Sequence, residues 1–270
     1  MKELNGSELA GFIKERQAKQ VRALRQAWHI QPRLAIVTDT ENPVIETYMR
    51  LKQRYGADIL IDVEIHRAEA SQVLGVIDAL NNRDDVQGII LQLPISNPQQ
   101  TEELLESIRT DKDVDGLCRQ TDFQAATPTA INWLLAGYGI DLKGKKVAIV
   151  GRGRLVGAPL EKMWLKSGID ATVFEKGDNL SQLINYDVVV SATGVPGLIT
   201  DQMVKTKAVV VDAGTASEDG KIVGDVSDEV RLREDVLITP KKGGVGPLTV
   251  SALFDNLITA CLKIANQAKN

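Results

Sequence analysis

A chain of 270 residues, 43% of them hydrophobic, can bury one or two cores, which excludes a disordered or fibrous protein. The formal charge of -4, with acidic and basic residues mixed along the sequence, offers no basic stripe for nucleic acid and no polybasic membrane anchor. Small molecules are the expected partners, and Cys118, Cys261, His29 and His66 are too scattered for a disulfide framework or a metal site.

In chain order, Asn5 and Ser7 are candidate caps for a first helix marked by Leu9, Phe12, Ile13, Val21 and Leu24 and stopped by Pro32. No apolar signal core precedes it and no run approaches bilayer-spanning length, so a reducing cytoplasm is the expected compartment. Strand-like Leu34 to Thr38, Ile59 to Ile65 and Val86 to Gln92 alternate with helical Pro43 to Tyr55, Ser71 to Leu80 and Thr101 to Arg109. Such alternation predicts βα units on a parallel sheet. A second series follows the polar stretch Arg119 to Thr127, opening with Pro128 in the first turn of a helix. Its strands are Lys146 to Val150, Ala171 to Phe174, Val188 to Ala192, Val209 to Asp212 and Val236 to Thr239; Leu155 to Lys166 and the tail Thr249 to Ile264 are helical.

Two local patterns carry chemistry. Between strand and helix, Gly151-Arg-Gly-Arg-Leu-Val-Gly157 spaces three glycines as Gly-x-Gly-x-x-x-Gly. Glycine permits a tight turn and close approach to phosphate at a helix N-terminus, although a plain strand-to-helix turn would use the same residues. Tyr48 and Lys52 stand four apart in a predicted helix and so share one face. Either they are a surface tyrosine covered by a lysine stem, or the lysine is a proton carrier whose pKa its surroundings lower.

With these two patterns, Ile89-Ile-Leu-Gln92-Leu-Pro94, Lys112-Asp-Val-Asp115-Gly116 and Thr239-Pro-Lys-Lys-Gly243-Gly244-Val-Gly-Pro247-Leu-Thr249 complete a set in order and spacing over nearly the whole chain. The set resembles the signature of the bifunctional methylenetetrahydrofolate dehydrogenase/cyclohydrolases. That resemblance implies a two-domain α/β fold: a catalytic, folate-binding domain over residues 1–119, completed by a C-terminal helix over 248–270, and a Rossmann-like domain over 120–247. It implies oxidation of 5,10-methylenetetrahydrofolate by hydride transfer to a nicotinamide, then hydrolysis of the methenyl cation to 10-formyltetrahydrofolate, in one cleft. It also implies a homodimer and a place in purine biosynthesis.

By the same resemblance, Lys52 carries the hydrolytic proton transfers, Gln92 holds its amine, Tyr48 packs on the folate rings and Asp115 binds the pterin edge. Gly243, Gly244 and Pro247 form a substrate loop. Gly151, Arg152, Gly153, Gly157, Glu175 and Thr215 are the expected cofactor neighbours. The chain departs from the family at Lys241-Lys242, where Val-Pro is usual, at Ile45 and Gly153, where serines are usual, and at Ala213-Gly-Thr215, where Gly-Ile-Asn is common. An impaired folate-binding paralogue and a dehydrogenase of shikimate type are the rival readings. For the cofactor, Arg152 favours NADP through a 2′-phosphate contact, whereas Glu175 stands where a carboxylate accepts from the ribose 2′-hydroxyl of NAD. NADP is the expectation and NAD the alternative.

Overall fold

In the computed structural model, which describes residues 3–214, 216–218 and 221–267, helix α1 runs over Gly6–Ala27. Asn5 caps it, its side-chain oxygen accepting from the backbone N–H groups of Ser7 at 3.0 Å and Glu8 at 3.3 Å, donors that a helix start leaves free. The chain divides into two compact units: Gly11–Ala126 with Val250–Asn270, and Met1–Ala10 with Thr127–Thr249.

The first unit adds β1 (Arg33–Thr38), α2 (Pro43–Asp58), β2 (Asp62–Arg67), α3 (Val73–Asn81), β3 (Gly88–Leu91) and α4 (Thr101–Glu106). Its strands form a parallel sheet in the order β2-β1-β3. All four residues of β3 are buried, which is why a short, unbroken apolar run marks it in the sequence. Its core joins Ala35 and Val37 of β1 to Val73, Ile77 and Leu80 of α3 and Ile89 and Leu91 of β3. The strand predicted from Ile59 begins later because residues 59–61 close α2. The N–H groups of Ile59 and Ile61 return to the Gly56 carbonyl and Leu60 takes φ of 64°. Ile59 and Ile61 are buried as core residues of that turn.

The second unit contains α5 (Ala126–Gly137), β4 (Val147–Val150), α6 (Gly157–Lys166), β5 (Ala171–Phe174), β6 (Val188–Ser191) and β7 (Val209–Asp212). A hairpin, β8 (Ala216–Glu218) and β9 (Lys221–Val223), then α7 (Asp228–Arg231) and β10 (Leu237–Ile238) complete it. The parallel sheet has the order β10-β7-β6-β4-β5. The short hairpin was not anticipated, since three-residue strands leave no readable alternation. The sequence boundaries put residues 1–10 with the first domain, but they group with the second. The Leu4 N–H donates to the Ile238 carbonyl and Ser7 to that of Gly243, both at 2.9 Å.

The last helix, α8 (Val245–Gln267), groups with the first unit from Val250 onward. There Phe254 stacks on Tyr55 with ring centroids 5.0 Å apart, and the Gln17 amide donates to the Ser251 carbonyl at 2.8 Å. By length and composition α8 could cross a membrane, contrary to the sequence expectation. In the fold its apolar residues Ala252, Leu253, Phe254, Leu257, Ile258 and Cys261 are spent on the core.

Both sheets reverse their strand order beside the first strand of each series, between β1 and β3 and between β4 and β6. Open α/β sheets leave a crevice for ligands at such points, outside the carboxyl ends of the strands.

Candidate active site

At the first crevice, helix α2 is started by Asn42, whose side-chain oxygen accepts from the Val44 N–H at 2.8 Å, with Pro43 in the first turn. That start fixes the phase of the helix. Ile45, Met49 and Gly56 are buried, while Tyr48 and Lys52 lie one turn apart and keep part of their surface. Ile45 is therefore a core residue. The Lys52 ammonium donates to Gln92 Oε1 at 2.7 Å. Gln92 follows β3 directly; its backbone N–H donates to the Val37 carbonyl at 2.8 Å, and its amide group donates to the Leu93 carbonyl at 3.1 Å. The second bond turns the amide oxygen toward the lysine, so Gln92 does more than satisfy a strand end.

The segment Lys112 to Gly116 divides its work residue by residue. Lys112 donates to the carbonyls of Leu80, Asn81 and Arg83 at 3.0, 2.9 and 2.6 Å, covering acceptors that the end of α3 leaves open. Asp113 accepts the backbone N–H groups of Gly116, Leu117 and Cys118. Val114 packs against Gly88, where an added Cβ would lie 2.8 Å from its methyl group. Gly116 turns the chain at φ of 70°, and a Cβ there would come within 2.6 Å of the Gln124 backbone. Asp115 is left with no side-chain hydrogen bond to another described residue, and its carboxylate is available to a ligand.

Electrostatics ties Asp115 to Lys52. Burial lowers the pKa of the lysine, opposed by the attraction of the Asp115 charge. Burial likewise raises the pKa of Asp115, opposed by the Lys52 charge, with the nearby Asp113 adding to the rise. Both shifts favour the neutral forms, so a proton can be exchanged here at less cost than at a solvated lysine. Cys118 and Cys261 are free and buried, and burial raises both thiols, that of Cys261 to about 12.

In the second unit, the glycine loop leaves β4 beside the end of β6. Gly151 takes φ of 93°, and a Cβ on it would meet the Ala192 carbonyl oxygen at 2.8 Å. Gly157 opens α6, and a Cβ there would be 1.9 Å from the Gly151 carbonyl oxygen. Gly153 has ordinary φ and its nearest such contact is 3.9 Å away, so a side chain would fit there and the turn does not require glycine. Helix α6 starts at Val156 without a side-chain cap. The Ala158 N–H is taken by the Gly153 carbonyl at 3.1 Å and Pro159 has none, so it is chiefly the positive dipole end of α6 that suits a phosphate, and a dinucleotide fits this cradle. Gly157→Ala is expected to lose nucleotide affinity and about 1–3 kcal/mol of stability through overpacking against backbone. Calorimetric titration with nucleotide and denaturant unfolding check the two effects; parent-like values in both would show that the cradle tolerates a side chain.

Arg152 is held by carboxylates: Nε donates to Glu161 at 2.9 Å, and a terminal nitrogen lies 3.5 Å from Glu175 at the end of β5. The arginine and glutamate that pull cofactor choice in opposite directions are thus neighbours, and Glu161, nine positions downstream of Arg152 on α6, is not marked in the sequence because no local spacing links it to the loop. Thr215 lies outside the described residues. Gly243 and Gly244 are shaped by the chain start, since the Gly244 carbonyl oxygen lies 1.9 Å from where a Cβ on Gly6 would stand. Pro247 sits in the first turn of α8, and Lys241 pairs with Asp228 at 2.6 Å.

Comparison with known proteins agrees with this geometry. Residues 4–115 match the family model for the tetrahydrofolate dehydrogenase/cyclohydrolase catalytic domain, and residues 125–265 match the NAD(P)-binding domain of the same family. The bifunctional protein FolD of Hydrogenobaculum is 37% identical over 276 residues, covering 95% of this chain and 97% of the relative. Among solved structures, the bifunctional methylenetetrahydrofolate dehydrogenase/cyclohydrolase of Campylobacter jejuni superposes with a TM-score of 0.91 at 33% identity, over 98% of this chain and 99% of that one. The Trypanosoma brucei enzyme, complexed with NADP cofactor and an inhibitor, gives 0.89 at 28% identity over 96% and 97%. Two domain models in tandem, a full-length relative above 30% identity and the same two-unit fold lead to one conclusion: the chain belongs to the tetrahydrofolate dehydrogenase/cyclohydrolase family.

Proposed function

We propose that this protein oxidises 5,10-methylenetetrahydrofolate to the 5,10-methenyl form with NADP and hydrolyses that product to 10-formyltetrahydrofolate. The observation that carries the reading is the Lys52–Gln92 hydrogen bond beside the Asp115 carboxylate. Bound nicotinamide supplies the hydride acceptor for the first step. The residues of the chain do the rest. Asp115 accepts from the amino-pyrimidine edge of the pterin, a two-point contact strengthened by charge. Tyr48 offers an aromatic face for the flat folate rings.

In the hydrolytic step, neutral Lys52 takes a proton from a water molecule as its oxygen bonds to the methenyl carbon. The ammonium so formed returns that proton to the folate N5 as the bond between N5 and this carbon breaks, and the remaining hydroxyl proton passes to solvent as the C=O of the formyl group forms on N10. A lysine with a lowered pKa suits both halves of this exchange. Gln92 keeps the amine aimed by accepting its N–H.

Support for NADP comes from the family and from Arg152, which stands in the glycine loop where a 2′-phosphate would lie. Arg152→Ala is expected to lower kcat/KM for NADP by about 1 to 3 kcal/mol in transition-state terms while sparing NAD. A parent protein that turns over NAD at least tenfold more efficiently than NADP would reverse the assignment and point to Glu175 as the selector. The family resemblance also supports a cytoplasmic homodimer serving purine biosynthesis. A spectrophotometric assay with methylenetetrahydrofolate and each nicotinamide tests the main reading; tetrahydrofolate binding without turnover would replace it with a binding role.

A further inference from the structure

Behind the nucleotide loop lies a buried polar cluster that neither reaction step uses. Asp225, fully buried, accepts from the Ser191 hydroxyl at the end of β6 and from the backbone N–H of Thr193, both at 2.7 Å and both on Oδ2. Ala192, between them, presents its carbonyl oxygen to Gly151, and Thr193 brings its methyl to 2.9 Å from where a Cβ on Gly151 would stand. The Asp225 N–H donates to Asp212 Oδ1 at 3.0 Å, and the same oxygen accepts from the Gly214 N–H at 3.1 Å. Asp212 Oδ2 is held by the Val226 N–H and by Arg231, which also donates to the Thr239 carbonyl at 2.6 Å.

One carboxylate pair therefore fastens the segments leaving β6 and β7 at their carboxyl ends. The approach is close: a Cβ on Gly214 would stand 2.0 Å from Asp225 Oδ1. That oxygen has no hydrogen-bond partner among the described residues, and within that set the two donors on Oδ2 are what turn the carboxylate. In a sheet with the strand reversal between β4 and β6, the half carrying β5 receives the adenosine end. The half carrying β6 and β7 receives the nicotinamide end.

We propose that Asp225 is a positioning residue for nucleotide binding, holding the Ala192–Thr193 segment against Gly151 so that the two walls of the crevice are in place before the nucleotide arrives. The proposal rests on the dehydrogenase reading above, and the second activity supplies its internal control. Hydrolysis of methenyltetrahydrofolate uses Lys52, Gln92 and Asp115 of the other unit and consumes no nucleotide. Losing a charged acceptor from this tether misplaces groups that must lie within a few tenths of an ångström of the ligand.

The test measures both activities, calorimetric nucleotide affinity without folate, and thermal stability in Asp225→Asn and Ser191→Ala. The isosteric Asp225→Asn is expected to raise the nucleotide KM and Kd at least tenfold. Ser191→Ala, which keeps the carboxylate but removes one of its two donors, is expected to raise them about threefold to tenfold. In both variants the hydrolytic kcat/KM should stay within twofold of the parent. If nucleotide affinity is unchanged in either folded variant, or if both activities fall together with the melting temperature, the positioning role is wrong. If Asp225→Asn does not fold, Ser191→Ala decides alone. A parent that binds neither nicotinamide would instead remove the dehydrogenase reading, an outcome visible before any variant is made.

Discussion

Lys52→Met is expected to abolish hydrolysis of methenyltetrahydrofolate while leaving the fold intact. The substitution removes the only amine hydrogen-bonded to Gln92 among the described residues and keeps a flexible side chain of similar length. General acid–base assistance is typically worth about 10²- to 10⁴-fold. The variant also removes an ammonium that burial disfavours, so stability should change little. The parent pH profile carries a second signature. The lysine must be neutral to accept a proton, so the rate should rise with pH through an ionisation below the ordinary lysine value of 10.5. That limb should vanish in Lys52→Met. A folded variant hydrolysing at the parent rate, or a limb that persists in it, would refute the role.

Asp115→Ala is expected to weaken tetrahydrofolate binding by about 2–3 kcal/mol, because a charge-assisted two-point contact is lost. Nucleotide affinity should hardly move, since the cradle at Gly151 and Gly157 belongs to the other unit. Asp115→Ala also takes away the negative charge that holds the Lys52 pKa up. The rate limb assigned to Lys52 should therefore shift to lower pH in the variant. Equal folate affinity of variant and parent, measured by calorimetry, would take Asp115 out of the substrate site. An unmoved pH limb would separate its charge from the lysine.

The order and type of the elements were legible in the sequence because both sheets are parallel and β1, β3, β4, β6 and β7 are buried along nearly their whole length. Those strands carry apolar runs such as Val-Ala-Ile-Val in β4 and Val-Val-Val in β6 and β7, and β5 and β7 fall on the residues that the sequence pattern marks. Glycine spacing likewise marked the phosphate cradle, since Gly151 and Gly157 stand where a side chain would strike backbone. The proposed roles of Lys52, Gln92 and Asp115 were legible only through the family pattern. Lys52 and Gln92 are forty positions apart, and no local rule pairs a helix residue with a strand end.

Tertiary structure alone decided the rest. It separated Asp115 from Lys112 and Asp113, whose side chains are consumed by the end of α3 and by a turn. It placed Arg152 against Glu161 and Glu175 and buried Asp225 beneath Ser191 and Thr193. It also assigned residues 1–10 to the second unit and turned the apolar length of α8 into core. Periodicity records which face of an element is buried, but the partner that buries it, and the charge set beside it, exist only once distant segments have met.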